Sequence, residues 1–376
     1  MKINTITCHD VYNYGASLQA YALQSYLENR GHDVKIIDYM PIYRPRRYNY
    51  FKLNNENGLS GKIASLIPLL EPVCALWKNR KSIKFYRRKV AFDRFRDIYL
   101  KLTDYCYHSF SELKSSKPEA DLYIAGSDQI WNSLYDNGRD SAFYCAFEDN
   151  NRKCISYAAS FGSDFVHPDF LDFVKKELAH FRSISVRELS GKKIVNLLGY
   201  NATVVLDPVF LLGIEEWNAL CNFNREDNYL LIYDFLQNDP RIKTIAKEIA
   251  KKQKLKIYSI NDFKICDYAN RNIYNAGPIE FVEYIRGAKF VLSTSFHATA
   301  FCAIYNKDFY TFPLIGHNNS SRMKDFLQML DLSNRFVDDV FILQDSKINW
   351  KGVNEKLSQM TNMSKKWLSD NINFKV

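Results

Sequence analysis

Residues 289–307 read KFVLSTSFHATAFCAIYNK, and this stretch predicts a buried strand, a short polar turn and a helix. The apolar run at 290–292 is typical of a buried parallel strand, and Thr294 or Ser295 is suited to cap the helix that follows. His297 would then lie in the first turn of that helix. Ligands collect at the carboxyl ends of strands in open α/β sheets, so the stretch predicts a ligand site at this turn.

His297 is the first candidate for a catalytic residue. Unpaired backbone N–H groups and the helix dipole attract anions to the start of a helix, and a histidine placed there can donate a proton to a bound anion. The alternative is a histidine that is satisfied in the core or caps the helix. His9 and His317 are further candidates. None of the three histidines has metal-ligand spacing, so no bound metal is expected.

The alternation of strand and helix extends along the rest of the chain. A length of 376 residues is too great for one ordinary core and fits two domains. Strands are predicted at 2–8, 34–39, 121–125, 154–158, 183–186, 229–235 and 255–260, and helices at 16–29, 82–99, 168–180, 240–252, 278–287, 323–330 and 350–372. The pattern indicates two parallel α/β domains, assigned to residues 1–205 and 206–350, with a terminal helix in 351–376.

Two arginines lie where an anion could bind: one follows a predicted strand, and the other lies at the start of a predicted helix. Arg187 comes directly after a strand, where its guanidinium can grip a carboxylate or phosphate in a bidentate manner. An ion pair with Glu188 or another acid is the alternative. Arg322 lies with Ser320 and Ser321 at a helix start and is the second cation predicted near a bound anion.

The net charge of +9 is concentrated in residues 41–89. This segment holds twelve Lys or Arg and two acidic residues, a net charge of +10, whereas the remainder of the chain sums to −1. It contains no recognisable nucleic-acid-binding module, and nucleic acid is not expected as a partner. Its interleaved aromatic and aliphatic residues favour an insertion on an anionic membrane surface, and a solvated basic face is an equally weighted alternative.

The N-terminus opens on a strand pattern and lacks the features of a signal peptide. The longest apolar run, 63–77, is interrupted by Pro68, Glu71 and Pro72 and is too short to span a bilayer. The eight cysteines form no CxxC pair and are typical of reduced thiols. We therefore expect a cytoplasmic protein, with peripheral contact at the inner face of the membrane if the basic segment binds lipid.

Six blocks of the chain resemble, in order, those of the polysaccharide pyruvyltransferase family. They are NYGASLQAY (13–21), GSDQIWN (126–132), SYAASFG (156–162), SVRE (185–188), LDPVFLL (206–212) and SFH (295–297). The resemblance implies a fold similar to that of GT-B glycosyltransferases, with two Rossmann-like domains facing a cleft. The first domain would be on the acceptor side and the second on the donor side, and the terminal helix would cross back to the first domain.

The resemblance also implies a transferase that forms a pyruvyl ketal. The donor would be phosphoenolpyruvate as co-substrate, with no other cofactor. The acceptor would be a sugar of a surface polysaccharide such as an exopolysaccharide, or of its lipid-linked or nucleotide-linked precursor. Two other hypotheses remain open: a GT-B-like glycosyltransferase that uses a nucleotide sugar, and a non-catalytic sugar-binding protein of the same fold.

On the acceptor side, the resemblance assigns Asn13, Gly15 and Gln19 to the cleft wall. Asp128 follows a predicted strand end and is a candidate to bind a sugar hydroxyl, and Gln129 is a further acceptor-binding candidate. A structural turn is the alternative explanation for Gly15. Capping of the next helix is the alternative for Asp128.

On the donor side, His297 would supply the proton for ketal formation. Arg187, Arg322 and Ser321 would hold the carboxylate and phosphate, assisted by N–H groups near Ser295. One family pattern has an arginine two residues before the histidine, where this chain has Ser295. This substitution removes one cation from the expected donor site.

Overall fold

The computed structural model describes residues 1–43, 85–223, 228–262, 264–317, 320–338 and 347–374. Within these residues the first half of the chain forms a seven-stranded sheet. Its strands are β1 Lys2–Ile6, β2 Asp33–Tyr39, β3 Leu102–Tyr107, β4 Leu122–Ala125, β5 Cys154–Ala159, β6 Ser183–Val186 and β7 Ala202–Val204. All neighbours pair in parallel, in the order β3-β2-β1-β4-β5-β6-β7. The order reverses between β1 and β4, and such a switch point opens a crevice at the carboxyl ends of the strands.

The second half of the described chain forms a five-stranded parallel sheet of the same kind. Its strands are β8 Tyr229–Tyr233, β9 Lys256–Ile260, β10 Arg271–Ile273, β11 Phe290–Ser293 and β12 Asp308–Thr311. Their order is β10-β9-β8-β11-β12, again with one reversal, between β8 and β11. The prediction of two Rossmann-like α/β units is confirmed.

Helices connect the strands and cover both sheets. In the described residues they are α1 Tyr14–Glu28, α2 Tyr86–Tyr99, α3 Phe110–Ser115, α4 Leu171–Leu178, α5 Leu189–Leu197, α6 Ile214–Leu220, α7 Pro240–Gln253, α8 Pro278–Gly287, α9 Phe296–Ile304, α10 Ser321–Met329 and α11 Trp350–Ile372. Of these described helices, none is long and apolar enough to cross a membrane. Side chains cap the starts of several helices. The side-chain oxygen of Asn13 accepts a hydrogen bond from the Ala16 N–H, and the Glu280 carboxylate accepts one from the Gly277 N–H.

The sequence pattern misses the strands at the edges of the two sheets. β3, β7, β10 and β12 are the outermost described strands, and none of them was expected. β3 and β10 carry exposed residues, and β7 and β10 are only three residues long. Short, half-exposed strands are common at sheet edges and lack the apolar run that marks a buried strand.

The first helix joins the two halves of the molecule. Tyr14 at its start is buried and stacks on Phe281 of α8, with ring centroids 4.4 Å apart and planes 6° apart. Its hydroxyl donates to the carbonyl of Ala276 at 3.1 Å. The hydrophobic core is therefore continuous from the first sheet into the second.

The last helix returns to the first half of the chain. Ser364 accepts a hydrogen bond from the Leu206 N–H at 2.9 Å, and Trp367 lies against Tyr157 of β5. Leu368 and Ile372 are buried in the same core. α11 thus covers part of the first sheet.

Most of the basic segment 41–89 lies outside the described residues, since the structure does not describe 44–84. Arg88 is described and is 1% exposed. Its Nη2 lies 2.8 Å from Asp262 Oδ1, in the turn after β9, and its Nε donates to the Tyr14 hydroxyl. Lys89 forms an ion pair with Asp93 on the next turn of α2. The interpretation of Arg88 as part of a basic surface is therefore wrong, because this cation ties α2 to the second half of the molecule.

Replacing Arg88 with Leu should destabilise the protein, because it leaves the Asp262 carboxylate buried without its cation. Removing one partner of a buried ion pair typically costs about 3–5 kcal/mol, and urea unfolding should show a loss of this order. Arg87→Leu is the matched control, because Arg87 is the preceding residue of the same helix and is exposed. Equal unfolding free energies for the two variants would contradict the assignment.

Candidate active site

The buried carboxylate of Asp207 lies at the centre of the candidate site. It follows β7 and is fully buried. Oδ2 accepts from Arg187 Nη1 at 2.6 Å and from Ser127 Oγ at 3.3 Å, and it lies 3.4 Å from His297 Nε2. Burial alone would raise the pKa of the Asp207 carboxyl, but His297 and Arg187 hold that pKa well below its usual range. Asp207 is therefore a buried anion shared by a cation of the first half and a histidine of the second.

Asp207 is not among the candidate site residues that the sequence predicts. Its signal in the sequence is an aspartate that directly follows an apolar run at a strand end and precedes Pro208. That signal does not identify the partners of Asp207, which are Arg187 after β6 and His297 in α9.

His297 lies in the first turn of α9, as predicted, and is buried. Nε2 makes no hydrogen bond with any described residue. The imidazole packs directly on the backbone of Gly15, where an added Cβ would overlap the ring. Gly15 therefore allows a close approach between α1 and α9, and its role does not depend on a left-handed backbone.

Arg187 follows β6 and is 3% exposed. Besides Asp207 it faces Glu188 (Nε to Oε2, 3.6 Å) and Asp128 (Nη2 to Oδ1, 3.8 Å), and its guanidinium lies 4.4 Å from the centre of the Phe296 ring. Its Nε and Nη2 nonetheless make no hydrogen bond with described residues. The ion pair and a ligand-binding role are compatible, because Nη1 donates to Asp207 while Nε and Nη2 keep donors that no described residue accepts.

Arg322 and Ser321 begin α10 on the opposite side of Asp128. Arg322 Nη1 lies 4.0 Å from Asp128 Oδ1. With the Gln129 amide turned to the orientation that satisfies its neighbours, its side-chain oxygen accepts from Arg322 Nη1 and Nη2 at 2.6 and 3.0 Å. Burial and the nearby Arg187 lower the pKa of Arg322 to about 10. Arg322 Nε and Ser321 Oγ have no hydrogen-bond partner among described residues, and Ser320 makes no side-chain capping bond.

Asp128 lies between the two arginines and caps no helix in the described chain. Its φ is 68°, and its carbonyl accepts from the Ile130 and Ser160 N–H groups, which fixes the turn after β4. Its side chain is 16% exposed. The alternative role of Asp128 as the cap of the next helix is not met, because irregular turns follow it.

The side chains of three other predicted site residues make hydrogen bonds to groups of the protein itself. Asn13 caps α1, and Ser295 caps α9 by accepting from the Ala298 N–H. The fully buried Gln19 donates to Thr7 Oγ1 and accepts from the Ser127 N–H at 3.0 Å. Gln19 therefore holds the turn that carries Asp128 and has no surface facing a cleft.

The other two candidate histidines have different surroundings from those of His297. His9 is buried, with Nε2 2.9 Å from Asp38 Oδ1 at the end of β2. His317 is exposed in the loop after β12. Across the described residues, no group of three His, Cys, Asp or Glu side chains is arranged to hold a metal ion.

The arrangement favours binding of an anion with several oxygens. Two buried guanidinium groups and one hydroxyl keep unpaired donors, and buried polar groups without partners are costly in a folded protein. Arg187 follows β6 of the first half, whereas Arg322, Ser321 and the nearby imidazole of His297 come from α10 and α9 of the second half. The site therefore combines an anion grip with a group capable of proton transfer.

Comparison with known proteins gives one family. The family model described as polysaccharide pyruvyl transferase matches residues 13–313. No curated protein sequence matches the chain.

Several solved structures share weak overall similarity with the chain. The S. aureus MnaA–UDP co-structure has a TM-score of 0.48 at 10% identity and covers 96% of this chain and 87% of its own. UDP-GlcNAc 2-epimerase from Methanocaldococcus jannaschii has a TM-score of 0.47 at 13% identity, over 96% and 93% of the two chains. The glycosyltransferase SsfS6 from Streptomyces sp. SF2575 has a TM-score of 0.45 at 12% identity, over 98% and 99%.

The contact between Gly15 and His297 can be tested by a double-mutant cycle. Gly15→Ala should displace the imidazole and destabilise the protein by about 1–3 kcal/mol, as overpacking in a core does. In a His297→Ala background the same change should be neutral, or stabilise α1 by up to about 1 kcal/mol, because alanine is a better helix former than glycine. The measurement is the unfolding free energy of the four proteins. A cost of Gly15→Ala that is the same in both backgrounds would rule out the contact.

Proposed function

The chain belongs to the polysaccharide pyruvyl transferase family, and on this premise we propose that it transfers pyruvate from phosphoenolpyruvate to a sugar, forming a ketal. The acceptor would belong to a surface polysaccharide or to its lipid-linked or nucleotide-linked precursor. Family membership makes the chain a transferase. The donor, the acceptor and the roles of individual residues are the proposal.

One observation carries the donor assignment. Arg187 Nε and Nη2, Arg322 Nε and Ser321 Oγ are buried donors without hydrogen-bond partners among the described residues. Phosphoenolpyruvate carries a carboxylate and a phosphate, whose oxygens would satisfy them. Planar guanidinium groups suit both anions, because each can bind two oxygens at once.

Arg187 keeps hydrogen-bond donors for an anionic ligand although three carboxylates surround it. Nη1 donates to Asp207, whereas Glu188 and Asp128 lie 3.6 and 3.8 Å from Nε and Nη2, which make no hydrogen bond with any described residue.

The first-turn N–H groups of α10 and α9 would add to the positive potential, which supports roles for Ser321 and Ser295 through their helix starts. Ser295 itself would act by capping α9, since its hydroxyl already accepts from Ala298.

Ketal formation requires a proton on the methylene carbon of the donor and attack of a sugar hydroxyl on the adjacent carbon. Phosphate then leaves and a second hydroxyl closes the ketal. We assign His297 as the acid for the first step, with Asp207 compensating an imidazolium 3.4 Å away. One hydroxyl proton restores the acid and the other leaves with phosphate, so the reaction balances without a cofactor.

On the acceptor side, the proposal assigns direct and indirect roles. Asp128 is the carboxylate with an accessible side chain and would accept from sugar hydroxyls. Gln129 would orient Arg322. Asn13, Gly15 and Gln19 would act by positioning: Asn13 caps α1, Gly15 admits the His297 ring and Gln19 holds the turn at Ser127.

A reaction in deuterated water tests the proposed chemistry. The methylene of the donor becomes the methyl group of the ketal, so a solvent-exchanging acid should place one deuteron on that methyl, which NMR detects. The experiment combines phosphoenolpyruvate with candidate acceptor sugars. Transfer from a nucleotide sugar would create no such methyl, and a sugar-binding protein would give no product.

His297→Gln should lower turnover by about 10² to 10⁴, the usual contribution of a positioned general acid. Phosphoenolpyruvate should still bind, because the arginines remain. His317→Gln is the control, since His317 is exposed in the loop after β12 whereas His297 is buried. Turnover close to wild type in a folded His297→Gln variant would exclude the assignment.

We further propose that residues 41–89 bring the protein to an anionic membrane surface. The support is the net charge of +10 in this segment against −1 in the remainder of the chain. Arg88 and Lys89 are not part of that surface, because one is buried and the other is paired within α2.

Reversal of three cations outside the described residues tests the membrane proposal. Arg44, Arg46 and Arg47 changed together to Glu should weaken sedimentation with phosphatidylglycerol vesicles at low salt, by about 1 kcal/mol or more per charge.

The control changes Lys175, Lys192 and Lys193 to Glu, which reverses the same number of exposed cations on α4 and α5. Equal loss in both triple variants would indicate a general charge effect. Absence of vesicle binding by the wild type would end the proposal.

A further inference from the structure

Two loops at the carboxyl edge of the first sheet carry large apolar side chains that remain exposed. The loop after β4 carries Leu134 and Tyr135, the loop after β5 carries Phe165, and Leu171 begins α4. These four side chains are between 38% and 47% exposed. Single exposed apolar residues are ordinary on a protein surface, whereas several from adjoining loops mark a binding surface.

A hydrogen bond holds the two loops against each other. The His167 N–H of the second loop donates to Ser133 Oγ of the first at 2.9 Å. Tyr135 lies two residues after Ser133, and Phe165 lies two residues before His167. Tyr135 and Phe165 therefore belong to one surface, which we call the aromatic rim.

The backbone of the aromatic rim is fixed by close packing and hydrogen bonds. Gly162 lies so near the first loop that an added Cβ would overlap the side-chain amide of Asn132. The Tyr135 N–H donates to the Asn132 carbonyl at 3.0 Å, and Ser163 Oγ donates to the Phe165 carbonyl at 2.6 Å. Aromatic side chains on such turns lose little conformational entropy when a ligand binds to them.

The aromatic rim adjoins the candidate active site. The loop after β4 also carries Asp128 and Gln129, and the Gln129 side chain accepts from Arg322 in the orientation that satisfies its neighbours. Burial has the largest effect on the pKa of Arg322, and the Tyr135 phenol is close enough to the guanidinium to affect that pKa as well. A molecule bound beside the arginines would therefore extend onto Tyr135.

The charge of the two loops disfavours an anionic occupant. Residues 126–140 and 160–172 contain six acidic residues and one arginine, a net charge of −5. That arginine, Arg139, donates from Nε to the Ser133 carbonyl at 2.8 Å and lies over the Phe170 ring, 4.1 Å from its centre. An acidic surface repels phosphate groups and anionic lipids.

The combination of aromatic faces and carboxylates suits a neutral sugar. An aromatic face combines apolar area with directional preference, which matches the C–H face of a sugar ring. Asp136 and Asp164 are exposed and directly neighbour Tyr135 and Phe165 in the sequence. Their carboxylates would accept hydrogen bonds from sugar hydroxyls. Since the chain belongs to a polysaccharide pyruvyl transferase family, a sugar of the acceptor is the occupant that this chemistry favours.

We propose that Tyr135 and Phe165 form a stacking surface for a neutral sugar of the acceptor chain, adjacent to the sugar that receives the ketal. The assignment rests on the proposed function for its place in the reaction. The aromatic rim contributes affinity for the acceptor and takes no part in the chemical step. The enzyme therefore prefers an acceptor of two or more sugars to a single sugar.

Saturation-transfer NMR with lactose, cellobiose and N,N′-diacetylchitobiose tests the surface without turnover. At least one of these neutral disaccharides should bind the wild-type protein at millimolar concentration, and high salt should not weaken its binding, because salt screens only charged partners. Tyr135→Ala and Phe165→Ala should each raise the dissociation constant about two- to tenfold, the effect of losing one aromatic contact. Tyr135→Trp should still bind, because it keeps an aromatic face.

Tyr105→Ala is the matched control. Tyr105 is likewise exposed, but it lies on the edge strand β3 and belongs to neither loop. This variant should bind as the wild type does. Thermal unfolding of each variant verifies the fold.

Turnover provides an independent readout of the same surface. With phosphoenolpyruvate as donor, Tyr135→Ala and Phe165→Ala should raise the KM for a disaccharide acceptor. They should leave kcat and the KM for the corresponding monosaccharide unchanged, because the contact is lost equally from the ground state and the transition state.

The outcomes separate the stacking surface from the proposed reaction. Disaccharide binding that depends on Tyr135 and Phe165, without pyruvyl transfer, would retain the surface and reject the reaction. Pyruvyl transfer with disaccharide binding unaffected by the two alanine substitutions would reject the surface. Binding that is lost at high salt, equal losses in Tyr135→Trp and Tyr135→Ala, or no disaccharide binding at all would also overturn it.

Discussion

The buried ion pair between Asp207 and Arg187 fixes the geometry on which the candidate site depends. Asp207 has no contact with water, so its charge must be compensated by protein groups. Arg187 compensates it from β6, and His297 approaches the same oxygen from α9. A carboxylate shared in this way sets the distance between the two halves of the molecule at the point where a ligand would lie.

Other contacts hold the halves together around that pair. Tyr14 stacks on Phe281, and Arg88 reaches Asp262. Gly15 lets the imidazole of His297 lie against the backbone of α1. Each contact joins an element near the start of the chain to one from the second sheet, so the cleft is framed by residues far apart in sequence. The donors of Arg187 and Arg322 that make no hydrogen bond lie among these contacts. The stability that the contacts provide offsets the cost of leaving these buried donors unsatisfied.

Local pattern predicts the central elements of this fold well. Strands such as β5 and β11 are continuous apolar runs, and helices such as α8 carry start signals at Gly277 and Glu280. Of the edge strands, β7 and β10 are missed because they have only three residues, and β3 because exposed residues interrupt its pattern. β12 has four residues, of which three are buried, and its sequence DFYT contains only a two-residue apolar run. The positions of His297, Arg187 and Arg322 near one another follow from the rule that strand ends share one edge. The partners of these residues do not follow from this rule, because no pattern in the nearby sequence shows that Asp207 will contact Arg187 or that Arg88 will be buried.

The path of α11 bears on how the protein assembles during synthesis. Residues 364–372 cover Tyr157 and Leu206, yet they leave the ribosome only after the whole second sheet has been made. Domains usually fold in order as they emerge, but here the first sheet lacks part of its cover until the second sheet has emerged. The nascent first half must therefore persist with an apolar face exposed, which makes the docking of α11 the step that completes the cover of the first sheet.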